Sequence, residues 1–123
     1  MDKLTRADIK ILDTISLLND NQFFPLPDGV YKILKGVIDK ETIAFMDYRT
    51  FSTWVSCKSK RISMAIMLLV RHKYLEKIYV EKEDELFLKI SNFGKSFLLD
   101  YHKKHKLKYK KKEKQIKRTI IHI

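Results

Sequence analysis

The sequence predicts a mainly helical α+β domain of the winged helix-turn-helix class, residues 1–102, followed by a basic tail, residues 103–123. Three observations predict it. Apolar residues recur at three- and four-residue spacings over residues 4–18 and 59–73, the period of an amphipathic helix. Between residues 74 and 90 strand formers flank a short acidic loop, the pattern of a β-hairpin. The stretch 103–123 carries ten lysine and arginine residues against one acid, Glu113, and so holds +9 of the chain's +11.

The first helix spans Leu4 to Leu18, with Ile9, Leu12 and Ile15 on one face, Thr5 as its N-cap and Asp8 three residues on as a capping partner. It stops at the turn formers Asn19-Asp20-Asn21. Phe23-Phe24-Pro25-Leu26-Pro27 reads as extended, pinned to the core by its phenylalanines. Asp28 is placed to cap a short helix, Gly29 to Lys35, which buries Val30, Ile33 and Leu34 and ends at Gly36. Val37 to Asp47 reads as a connector with one helical turn. Thr50 to Ser56 is expected as a further short helix carrying Phe51, Trp54 and Val55.

Ser59 to Lys73 is the strongest helix in the chain. Ile62, Ala65, Ile66, Leu69 and Lys73 share one face, with Lys60, Met64, Met67 and Arg71 opposite. Tyr74–Val80 and Leu86–Ile90 are the strands, and the loop Glu81-Lys82-Glu83-Asp84-Glu85 is acidic at four of its five positions. Ser91 caps a final helix with Phe93, Phe97, Leu98 and Tyr101. The helix pair 50–56 and 59–73 with the hairpin behind it makes the winged helix-turn-helix order.

Composition narrows function by exclusion. A single cysteine, Cys57, makes neither an internal disulfide nor a cysteine zinc site, and reads as a small packed residue. No Gly-rich loop precedes a helix to cradle a nucleotide phosphate. His102 and His105 lie three apart but among lysines, without a carboxylate or thiolate to complete a metal shell. No nucleophile–base or paired-carboxylate set falls on adjacent elements, so the expectation is a non-enzymatic chain without cofactor. The start lacks an apolar signal segment and no run is long enough for a membrane span, which places the chain in the cytoplasm, on the nucleoid if bacterial.

Three segments together resemble a narrower family. Val30-Tyr31-Lys32-Ile33-Leu34-Lys35-Gly36, then Tyr48-Arg49-Thr50-Phe51-Ser52, then Met67-Leu68-Leu69-Val70-Arg71-His72-Lys73-Tyr74-Leu75 are similar to the helix ends and starts of the RQC winged-helix domain found in RecQ-type helicases. The resemblance covers residues 9–100 by element order. It implies a free-standing DNA-binding winged helix with a transcriptional or DNA-maintenance role, and phosphate contact at Arg49, Thr50 and Ser52. Two departures limit it: there is no helicase motor or zinc subdomain, and the wing tip lacks the strand-separating aromatic of some members. Lys73 stands where generic winged helices carry glycine before the wing.

From the residues themselves, Lys58, Ser59, Lys60 and Arg61 concentrate three cations at a helix start, where the backbone N–H groups already favour a phosphate. Arg71 adds a cation on the outer face of the same helix. Met64 and Met67 between them make a poor base-reading surface, so backbone docking is expected over sequence readout. The tail adds an electrostatic arm, with Lys103, Lys104, Lys110, Lys111 and Lys112 among its contacts. DNA is the expected partner, and RNA would satisfy the tail equally. Two other readings use the same residues: a protein-interaction adaptor or homodimer through the methionine face, and a ribosome-associated protein.

Overall fold

The computed structural model describes residues 4–80 and 85–104. Among them the chain folds as helices α1 (Arg6–Asp20), α2 (Pro27–Lys35) and α3 (Ser59–Arg71), a 3₁₀ turn at Ile43–Phe45, strands β1 (Leu75–Val80) and β2 (Glu85–Ile90), and a last helix, α4, over residues 92–104. It is a mainly helical α+β fold. α1, α2 and α3 pack on one another, and α1 and α3 pack on the antiparallel hairpin, around Ile11, Leu12, Ile15, Val30, Leu34, Ile62, Ile66, Leu69, Leu75, Leu88 and Ile90, all buried.

α1 begins where the capping pair predicts. The Asp8 N–H donates to Thr5 Oγ1 at 3.2 Å, and the Thr5 N–H donates back to Asp8 Oδ2 at 3.0 Å. It ends at Asp20 with Asn21 as its C-cap, within the cluster of turn formers that marks its stop. Its end is a Schellman closure, with Phe23 N–H on Leu18 C=O at 2.9 Å, Gln22 N–H on Asn19 C=O at 3.0 Å, and Gln22 in the left-handed region at φ 63°. α2 ends alike: Val37 N–H reaches Lys32 C=O at 2.9 Å over Gly36 at φ 88°. So does α3, where Tyr74 N–H reaches Leu69 C=O at 2.9 Å over Lys73 at φ 67°. The position where glycine is usual is therefore left-handed here with a lysine in it.

Two expectations are corrected. The extended segment does not run through Pro27: that proline is the first residue of α2, Leu26 is its cap, and Asp28 lies in the first turn without a capping hydrogen bond. A fixed φ and a missing N–H suit the first helical position. The helix expected at Thr50–Ser56 does not form; the segment is a series of turns. Its amides are spent elsewhere, Ser52 N–H on Ile33 C=O at 2.8 Å and Trp54 N–H on Leu34 C=O at 2.9 Å, so they satisfy the last carbonyls of α2. Ser52 sits at φ 59° against Gly36, where an added Cβ would stand 2.6 Å from its hydroxyl.

The hairpin register pairs Leu75 with Ile90, Lys77 with Leu88 and Tyr79 with Leu86. The outer edge of β2 is held by groups from outside the sheet. Leu88 N–H donates to Pro25 C=O at 2.8 Å, and Ile90 N–H donates to the Asn19 side-chain oxygen at 2.8 Å. The Asn19 amide nitrogen donates to Phe23 C=O at 3.0 Å and leans toward Leu88 C=O at 3.4 Å. α4 starts at Ser91, whose hydroxyl accepts from Gly94 N–H at 3.0 Å and donates toward the Lys73 and Tyr74 carbonyls at 2.6 and 2.9 Å. Gly94 packs so close to the Tyr74 carbonyl that a Cβ would stand 2.3 Å from its oxygen.

Candidate nucleic-acid interface

α3 presents the faces that the periodicity predicts except at Lys73, which lies past the helix end at Arg71 and is exposed. Ile62, Ala65, Ile66 and Leu69 are buried, while Lys60, Arg61, Met64, Met67 and Arg71 are exposed. The helix starts from Lys58, in extended backbone, with no side-chain capping bond. The first-turn N–H groups are thus left to solvent or to a ligand, beside the exposed side chains of Lys58, Ser59, Lys60 and Arg61. Arg61 leans over the Trp54 ring, 5.8 Å from its centroid, which orients the guanidinium without removing its charge. From Ser59 to Lys73 there is no acidic residue. Lys58 and Lys60 have no ion-pair partner among the described residues.

The second expected group does not assemble as a helix start. Arg49 donates through Nε and its terminal nitrogen to the two oxygens of Asp13, at 3.0 and 2.6 Å, a bidentate pair that commits one edge of the guanidinium. Thr50, expected on an exposed helix start, is buried, and its hydroxyl has no hydrogen-bond partner among the described residues. Ser52 is exposed, but its backbone is fixed against Gly36. Arg49 belongs instead to a shallow groove of about 340 Å³ between α1 and α4, where His102 Nε2 lies 3.1 Å from Asp13 Oδ1 and Lys95 and Asp20 complete the rim. The carboxylate of Asp13 thus ties the 46–50 turn and α4 to α1.

Lys103 and Lys104 are exposed on the last turn of α4, Lys104 paired with Asp100 at 3.1 Å. Lys110, Lys111 and Lys112, with the rest of the expected arm, lie outside the described residues, as does the wing tip at 81–84. Cys57 is buried, and burial pushes its thiol up, away from the reactive thiolate. No group of three or more His, Cys, Asp or Glu among the described residues could hold a metal ion, and no described helix is long and apolar enough to cross a membrane.

Three roles escape a reading of the sequence. Asp13 and His102 carry no local sign of meeting, because they are brought together by the packing of α4 on α1. Leu68, 43% exposed, joins Met64 at 55% and Met67 at 65% to make one apolar patch on α3. A spacing of four from Met64 marks Leu68 as a neighbour of that face. No family model, curated protein or solved structure matched the chain.

Proposed function

We propose that this chain is a non-enzymatic DNA-binding protein of the winged helix-turn-helix class, similar to a free-standing RQC domain, that docks mainly on the phosphate backbone of duplex DNA. The observation that carries this reading is the start of α3, uncapped and flanked by exposed Lys58, Ser59, Lys60 and Arg61 with no acid in the helix. Unsatisfied N–H groups at the positive end of a helix dipole, next to three cations, form a phosphate-accepting surface. Element order supports the class: two helices, a turn-rich linker, a long helix and a hairpin, with β2 bridged to the Pro25 segment. The turns at 50–56 take the place of a helix before α3, so in this reading the motif's first helix is α2.

Arg71, in the last turn of α3, adds a cation to the same surface. Lys103 and Lys104 begin the basic arm that Lys110, Lys111 and Lys112 continue in the sequence. Thr50 drops out of the proposed contacts because it is buried, and Arg49 acts through its hold on Asp13. Sequence discrimination is not part of the proposal, since the exposed middle of α3 offers thioethers and a leucine where base readout needs donors and acceptors.

The test is fluorescence anisotropy on duplex, forked and single-stranded DNA at two salt concentrations, with the wild-type chain and a Lys60→Glu/Arg61→Glu variant. Backbone docking predicts that the variant binds all duplexes about tenfold or more weakly, with a shallower salt dependence. Unchanged duplex binding by that variant would show that α3 is not the docking element.

A further inference from the structure

The exposed middle of α3 does not match its own ends. Met64, Met67 and Leu68 are 55%, 65% and 43% exposed and lie within one turn of each other. Around them the charges are wholly basic: Lys60 and Arg61 at one end of the helix, Arg71 in its last turn with Lys73 just beyond it, and no acid between. Phosphates satisfy the ends and leave the middle uncovered, because a thioether or an isobutyl group gains nothing from an ionic backbone. Methionine-rich faces bind through apolar, adaptable packing.

A second copy of the chain fits this face poorly. An antiparallel α3–α3 contact sets Lys60 of one copy against Arg71 of the other, and a parallel contact sets each cation against itself. Either way like charges meet around the apolar patch.

We propose that the exposed face of α3 is a docking surface for an acidic amphipathic helix of a partner protein. Apolar side chains at i, i+3, i+4 and i+7 of that helix cover Met64, Met67 and Leu68, and its flanking carboxylates meet Lys60, Arg61 and Arg71. α3 is about 20 Å long, a span that accommodates three or four turns of a partner helix. The same cations serve DNA in the function proposed above, so the partner and DNA exclude each other and the partner relieves DNA binding. That exclusion rests on the DNA reading; the docking does not.

The probe is a synthetic acidic amphipathic peptide of three heptads, leucine at a and d, with glutamate and glutamine elsewhere. It is titrated into the full-length isotope-labelled chain and followed by amide chemical shifts. The expected result is perturbation centred on residues 60–71. Affinity should fall by about tenfold in a Met64→Ser/Met67→Ser variant and be kept in Met64→Leu/Met67→Leu; both positions are exposed, so neither change threatens the fold. Three results overturn the proposal: equal binding by the same peptide with serine in place of leucine, perturbation away from α3, or concentration-dependent self-association of the chain through α3 that Met67→Asp abolishes. A second arm adds the peptide to the chain bound to labelled duplex. Peptide binding at α3 without displacement of the duplex leaves the docking standing and removes α3 from the DNA reading.

Discussion

Asn19 does the work of a missing strand residue. Its carboxamide accepts from Ile90 N–H at 2.8 Å and donates to Phe23 C=O at 3.0 Å, so one side chain on the end of α1 fixes both the edge of β2 and the turn after the helix. Alanine there leaves Ile90 N–H without its partner beside a buried side chain. We expect Asn19→Ala to lower unfolding free energy by about 1–3 kcal/mol in urea titration. Thr50 predicts the opposite sense. Its buried hydroxyl has no partner among the described residues, so Thr50→Val removes an unsatisfied group at nearly constant volume. The variant should be as stable as wild type or more so, and should bind duplex DNA unchanged. A loss of DNA affinity on that substitution would return Thr50 to the interface.

At the scale of elements, three helices end by the same device and only one of them spends a glycine on it. Gly36 at φ 88° is at ease in the left-handed region, whereas Gln22 at φ 63° and Lys73 at φ 67° are not. Lys73→Gly should therefore stabilise the α3–β1 junction by about 1 kcal/mol, read as a higher midpoint in thermal unfolding. Gly94→Ala should destabilise strongly, since its Cβ would meet the Tyr74 carbonyl.

The connector after α2 depends on charge. Hydrogen bonding from the Thr42 backbone N–H, with the ammonium of Lys32, holds the Asp39 carboxyl below its ordinary range, and Asp39 and Glu41 hold the Lys32 ammonium above its own. A lowered carboxylate contributes above its unfolded pKa of about 3.9, and that contribution is lost as acid protonates it; a raised lysine contributes below about 10.4 and loses its hold as the solution becomes more alkaline. Amide exchange at Glu41 and Thr42, whose N–H groups both donate to Asp39 at 2.9 Å, should thus accelerate below about pH 4, beyond the intrinsic pH dependence of exchange. Protection unchanged down to pH 2 would separate the connector from this network.

Across the whole molecule, charge and fold are unevenly distributed. Residues 1–100 carry a net +2, and residues 103–123 the remaining +9. If about eight cations of the basic stretch meet phosphates, the logarithm of affinity should fall with the logarithm of salt with a slope of about −7. Neutralising Lys110, Lys111 and Lys112 to glutamine should make that slope shallower by about 3 and weaken binding to every DNA alike. A slope unaffected by these changes would remove the three lysines from the contact.

Much of this was legible along the chain, because it depends on neighbours in sequence. The spacing of Ile62, Ala65, Ile66 and Leu69 specified which face of α3 is buried, Thr5 and Asp8 specified where α1 starts, and the residue types at 74–90 specified a hairpin. What local pattern cannot encode is a competition for backbone groups between distant segments. Residues 50–56 have the composition of a helix, yet the carbonyls of Ile33 and Leu34 take the amides of Ser52 and Trp54, and the segment is left as turns. Arg49 has the chemistry of a phosphate ligand, yet packing brings it to Asp13, 36 residues away in sequence, with His102 on the same carboxylate. Spacing and composition decided the helices, the hairpin and the buried faces, since a 3.6-residue or two-residue period is written in adjacent side chains. Tertiary packing alone decided which cations remain available and which hydroxyl is buried, since both depend on partners that meet only when the chain is folded.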